Sequence, residues 1–153
     1  MLYKILPFLC LMFVLAACQQ NEHTDKQDHQ KNTTQQWNPP PAGTVVDKFQ
    51  ERVTEDNLNE KYFRITVIST EESKAGSYLL KLEYGFNINE TTIDLPKWTK
   101  GTILKPMLKK GPEQYSCLLG FDIGDGQFRE LYLIKANGGD ISLKQTKGYY
   151  QTK

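Results

Sequence analysis

Thr44-Val45-Val46-Asp47-Lys48-Phe49-Gln50-Glu51-Arg52-Val53-Thr54-Glu55-Asp56-Asn57 opens the apolar part of the chain, and its local state sets the fold class. Val45, Val46, Phe49 and Val53 recur at helical spacing, with Asp47, Glu51, Arg52 and Glu55 on the other side. Thr44, followed three residues later by Asp47, reads as an N-cap with an acid in the first turn, where the helix dipole favours negative charge. The spacing predicts an amphipathic helix over 45–57, ended by the turn-forming Asn57-Leu58-Asn59.

From Lys61 onward the period becomes two. Phe63, Ile65 and Val67 alternate with Arg64 and Thr66, and Tyr78, Leu80, Leu82, Tyr84 and Phe86 alternate over nine residues. Thr91, Ile93 and Leu95 suggest a third strand. Residues 102–108 suggest a fourth, restricted to an edge or a bulge because Pro106 cannot donate to a ladder. Tyr115, Cys117, Leu119, Phe121 and Ile123 alternate before Gly124-Asp125-Gly126. Phe128 to Ile134 returns, Asn137-Gly138-Gly139 turns again, and Ile141 and Leu143 open a last strand. The expected fold is α+β: one N-terminal helix packed on a curved antiparallel sheet of about six strands, similar in element order to the cystatin arrangement. The alternative is a small β-barrel or sandwich with an appended helix.

Upstream, residues 19–43 are polar apart from Trp37 and end in Asn38-Pro39-Pro40-Pro41. Such a composition buries too little apolar surface to offset ordering entropy, so residues 18–43 read as a tether. As a flexible coil it would span about 25–30 Å. Before it, Met1 to Lys4 carries one positive charge, and Ile5 to Ala17 is a 13-residue stretch without charge. That length suits the apolar core of a signal peptide rather than a membrane span. The stretch ends in Leu15-Ala16-Ala17-Cys18. Over residues 1–18 the chain resembles bacterial lipoproteins. The resemblance implies that residues 1–17 are cleaved as a signal peptide and that Cys18 is lipidated. Acyl chains such as palmitate would then hold the domain, residues 44–153, at a membrane. Gln19 follows the cysteine where aspartate would favour inner-membrane retention, so the resemblance implies the outer membrane, facing the periplasm. A Gram-positive host would instead place the anchor on its cell membrane.

Without residues 1–17 the chain has 136 residues, one domain's length, with 18 basic and 18 acidic side chains. Neutrality argues against nucleic-acid binding. Cys10 leaves with the signal and Cys18 is committed to the thioether, so Cys117 has no disulfide partner and reads as a small core residue. Both histidines, His23 and His29, precede residue 44, which removes Ser-His-Asp, Cys-His and histidine–zinc arrangements from the domain. His23, Asp25, Asp28 and His29 could form only a loose metal-binding cluster, and the ordering cost of flexible ligands favours reading them as solvated polar residues. Asp122 to Gly126 lacks the ligand series of a calcium loop and reads as a hairpin. No catalytic residue, metal site or cofactor is expected.

Charge is uneven along the domain. Residues 95–153 carry ten basic and five acidic side chains, whereas 47–94 carry six and ten. Lys97, Lys100, Lys105, Lys109 and Lys110 follow one another without an acid, interleaved with Trp98 and Met107. The plainer reading is edge protection by lysine and proline. The functional one is a basic surface for an acidic partner. With Tyr149 and Tyr150, whose rings give large contacts at low entropy cost, Lys97, Trp98, Lys100, Lys105, Lys109 and Lys110 form the candidate binding surface. Tyr149 also suits the core face of the last strand. The expected function is that of a non-catalytic envelope lipoprotein binding another macromolecule within a secretion, conjugation or envelope-assembly system. An inhibitor or immunity-type lipoprotein against a cell-wall hydrolase or other toxic enzyme is the alternative, and an inserted acidic or aromatic loop would mark it.

Overall fold

The computed structural model describes residues 36–54 and 60–149. Eight strands follow in order: β1 (Val45–Arg52), β2 (Tyr62–Ser69), β3 (Ser77–Tyr84), β4 (Asn87–Asp94), β5 (Lys105–Lys110), β6 (Ser116–Asp122), β7 (Arg129–Asn137) and β8 (Asp140–Gln145). One 3-10 turn, Ser73–Ala75, lies between β2 and β3. The strands form two antiparallel meanders, β1-β2-β3-β4 and β5-β6-β7-β8.

Among the described residues there is no α-helix, which overturns the expected α+β fold. Val45–Arg52 is a strand, paired antiparallel with β2 through Phe49↔Ile65 and Glu51↔Phe63. The appended helix of the barrel or sandwich alternative fails on the same segment. Residues 55–59, which hold the end of the expected helix and its turn, lie outside the described residues. The physical reason lies in the odd-numbered set. Asp47, Phe49 and Glu51 are half-buried and Val53 is buried, while Lys48, Gln50 and Arg52 are exposed. That is a period of two in which two inward positions are acids, so the hydrophobic pattern alone cannot show it.

Those acids have partners across the domain. Asp47 Oδ2 accepts the Leu108 N–H of β5 at 2.7 Å, and Lys110 Nζ lies 3.6 Å from Glu51 Oε1. The edges of β1 and β5 therefore adjoin, with a carboxylate standing in for part of a backbone ladder.

Both sheets line one core. Phe63, Ile65, Val67, Tyr78 and Leu80 come from the first sheet, and Cys117, Leu119, Phe121, Leu131 and Ile134 from the second. A register shift at Leu119/Gly120 inserts Leu131 as an extra residue in β7. This bulge turns both Leu131 and Ile134 inward, although their spacing is odd. Tyr115 and Tyr78 link the sheets further. Thr54 N–H donates to Tyr115 Oη at 2.9 Å, the Tyr115 and Tyr84 ring centroids are 5.6 Å apart, and Tyr78 Oη donates to the Leu104 carbonyl at 3.4 Å. Gln36 to Thr44 runs along the domain: Ser69 Oγ donates to the Pro40 carbonyl at 2.8 Å, and the Trp37 ring lies 6.4 Å from that of Tyr78.

Candidate functional site

The lysines of the candidate surface sit on different parts of the second sheet and its approach. The β4–β5 connection is pinned at both ends by buried Leu95 and Leu104. Between them Thr102 N–H donates to the Thr99 carbonyl at 3.0 Å and the two threonine hydroxyls meet at 2.7 Å, which lifts Lys97 and Lys100 into solvent. With Lys74 from the 3-10 turn, they rim a concavity of about 230 Å³. Strand alternation sends Lys105 and Lys109 to one face of β5 and Lys110 to the other, where Glu51 meets it. Lys109 Nζ lies over the Phe128 ring, 4.7 Å from its centroid.

Trp98 and Tyr149 belong to an aromatic plug. The Trp98 ring lies 5.6 Å from Phe121 and 6.1 Å from Tyr149, and Phe121 and Tyr149 meet edge-on at 5.0 Å. Tyr149 Oη donates to the Glu130 carbonyl at 2.9 Å. Arg129 approaches Trp98 at 5.8 Å, held in place by two hydrogen bonds to Asp125 at 2.9 and 2.7 Å. The Arg129 hydrogen bond keeps the Asp125 carboxyl well below the usual carboxylate range. Trp98 and Tyr149 thus spend much of their ring area inside the domain. Tyr150 and Cys18 lie outside the described residues.

The Asp122–Gly126 loop uses its carboxylate internally. Asp122 Oδ1 accepts the N–H groups of Gly124, Asp125 and Gly126 at 2.9, 3.0 and 3.1 Å. Cys117 is buried in mid-strand, and burial pushes its thiol up to about 12. A thiol so poised is a weak nucleophile. Among the described residues no three His, Cys, Asp or Glu side chains converge as a metal-binding group, and no helix is long and apolar enough to cross a membrane.

The feature that sequence reading missed is the β3–β4 hairpin. Phe86 extends the alternation of Tyr78 to Tyr84 and so reads as a core residue. Gly85, at φ 62°, instead closes a two-residue turn with Phe86 at the tip, 80% exposed. The signal available was Gly85 itself, followed by Asn87. Ile88 is 57% exposed, and Asn87 to Glu90 are four consecutive exposed residues. A strand segment exposed at consecutive positions has neither face covered. Beneath the tip lies a concavity of about 380 Å³ lined by Val53, Tyr84 and Phe86, and Asn87 Nδ2 donates to the Gly139 carbonyl of the other sheet at 2.7 Å.

Comparison of the chain with protein-family models, with curated proteins and with solved structures gives no match.

Proposed function

We propose that the protein is a lipid-anchored bacterial envelope lipoprotein whose two-sheet domain holds another protein and performs no catalysis. Leu15-Ala16-Ala17-Cys18 and Gln19 support anchoring at the outer membrane. The buried Cys117 and the placement of both histidines ahead of residue 44 support a binding role over a chemical one.

The observation that carries the binding role is the β3–β4 hairpin. Phe86 at the hairpin tip and Ile88 at the start of β4 stand in solvent, 80% and 57% exposed, with Lys61 Nζ over the Phe86 ring at 4.5 Å. Clustered exposed apolar side chains on an ordered element mark interaction sites. An accessory place in a secretion, conjugation or envelope-assembly system fits a tethered domain of this kind. Crosslinking in intact cells from a photoreactive residue at position 86, followed by mass spectrometry, tests the reading. Capture of one envelope protein, lost in Phe86→Ser, is expected. Absence of any crosslinked protein contradicts it.

The aromatic tip also favours a second reading, an inhibitor whose hairpin enters an enzyme cleft. Under that reading the captured protein is a hydrolase and the purified domain lowers its turnover.

A further inference from the structure

We propose that the outer edge of β4 is a docking strand, to which an extended segment of a partner protein, basic at alternate positions, adds antiparallel as a fifth strand of the first sheet. The proposal deepens the protein-binding reading above and rests on it.

The other sheet edges are protected. β1 adjoins β5 through Asp47 and has a register shift near Val45. β5 has six residues, with Pro106 and three lysines, and β8 has six residues with Lys144. Short length, proline, lysine and bulges are the devices that keep edges from pairing. β4 has none of them. It runs for eight residues without proline, lysine or register shift, and among the described strands it pairs with β3 alone.

The register then says what the edge presents. Tyr84 and Asn87 close a two-residue hairpin, so they form a hydrogen-bonded pair and alternate residues of β4 do the same. The main-chain groups of Ile88, Glu90, Thr92 and Asp94 therefore point outward. These four side chains also share one face. A strand laid against them antiparallel would place its own residues directly opposite, where an apolar side chain suits Ile88 and a cation suits Glu90 and Asp94. Lys81, across from Glu90, is already 3.1 Å from Glu83, and Arg64 lies 2.6 Å from the same carboxylate. Glu90 and Asp94 have no ion pair among the described residues.

A second copy of this chain fits poorly. Two-fold pairing of β4 centred on Glu90 sets that acid against itself, centring on Thr92 sets Glu90 against Asp94, and centring on Thr91 sets Glu90 opposite Thr92 and Ile88 opposite Asp94, where neither acid meets a cation. Like charges directly opposite are destabilising. No two-fold register gives either acid a cation, whereas a strand basic at alternate positions gives one to both.

Hydrogen–deuterium exchange of the full-length protein tests this, with a nine-residue peptide that has threonine at odd positions and alternating lysine and valine at even ones. At about ten times its dissociation constant the peptide should slow exchange over 87–94 about tenfold. A peptide with glutamate for lysine should leave exchange unchanged. The double variant Glu90→Lys/Asp94→Lys should exchange these preferences. Thr92→Pro removes an outward N–H and leaves the β3 ladder intact, so it should abolish protection at an unchanged melting temperature. Equal protection by both peptides, protection elsewhere, or none overturns the proposal. So does protection of β4 without peptide that grows with protein concentration, which would mark self-pairing. Should in-cell crosslinking still capture a partner while β4 shows no protection, the binding reading survives and strand addition fails.

Discussion

A methyl group on Gly120 would stand 2.1 Å from the Arg129 carbonyl oxygen and 2.7 Å from the Phe128 ring. The bulge brings β7 backbone against this point, so the overlap cannot be relieved by one flexible side chain. Gly120→Ala should therefore lower unfolding free energy by about 1–3 kcal/mol, read from urea denaturation. An unchanged midpoint would show that the two strands separate there at no cost. Cys117 makes a pH-dependent prediction. In the fold its thiol keeps its proton up to about pH 12, whereas in the unfolded chain it ionises near 9. Between these values the unfolded chain holds fewer protons, so stability falls as pH rises, by at most about 1.4 kcal/mol per unit from this group. Cys117→Ala should flatten that part of the slope, which a series of denaturation curves from pH 8 to 11 would detect. Tyr78, raised by burial from its ordinary 10, acts in the same direction higher up and remains in the variant. The burial of Cys117 was legible in the alternation of Tyr115 to Ile123. The tightness at Gly120 was not, because it depends on a bulge in another strand.

At the scale of elements, β1 shows how a sequence pattern can serve two structures. Val45, Val46, Phe49 and Val53 satisfy a helix, and Asp47, Phe49, Glu51 and Val53 satisfy a strand whose inward face carries two acids. The strand wins because β2 offers a ladder and β5 offers Leu108 N–H and Lys110 to those acids. Asp47→Ala leaves Leu108 N–H half-buried without its acceptor and should cost about 1–3 kcal/mol. Faster amide exchange at Leu108, with little change in β7, is the expected local sign. A stability equal to that of the unaltered protein would mean that water replaces the carboxylate. The β6–β7 loop is the opposite case. Its glycines and aspartates announced a turn, and Asp122 spends its carboxylate on three backbone N–H groups of that turn. Asp122→Ala should destabilise by a similar amount and free the Arg129–Asp125 pair to move, detectable as a weakened Trp98 fluorescence shift on folding.

For the molecule as a whole, separate variants test the proposed anchor and the basic surface. Cys18→Ala should move the protein from the membrane fraction to the soluble envelope fraction, and continued sedimentation with membranes would contradict lipidation. Replacing Lys97, Lys100, Lys109 and Lys110 together with Gln tests the basic surface. These lysines occupy the β4–β5 connection and two faces of β5, with only Lys110 near an acid. Unchanged partner capture in that variant, alongside loss of capture in Phe86→Ser, would assign recognition to the β3–β4 hairpin. Loss in both would mean that the partner spans both regions.

The period-two runs Phe63 to Val67, Tyr78 to Tyr84 and Tyr115 to Ile123, with the Asp-Gly and Asn-Gly turns, marked most of β2 to β8 through local chemistry, though not the β3–β4 turn or the first half of β4. Alternation and positive φ values need no distant residue to be read. Two features needed the assembled domain. The state of residues 45–52 depends on β2 and β5, which lie about 15 and 60 residues away in the registers Phe49↔Ile65 and Asp47–Leu108. The exposure of Ile88 and its neighbours Asn87 to Glu90 appears only once β4 is paired with β3 and the core is assembled, since Thr91 and Ile93 of the same strand are covered. Local rules describe which residues alternate, and only long-range pairing determines which alternating face is covered.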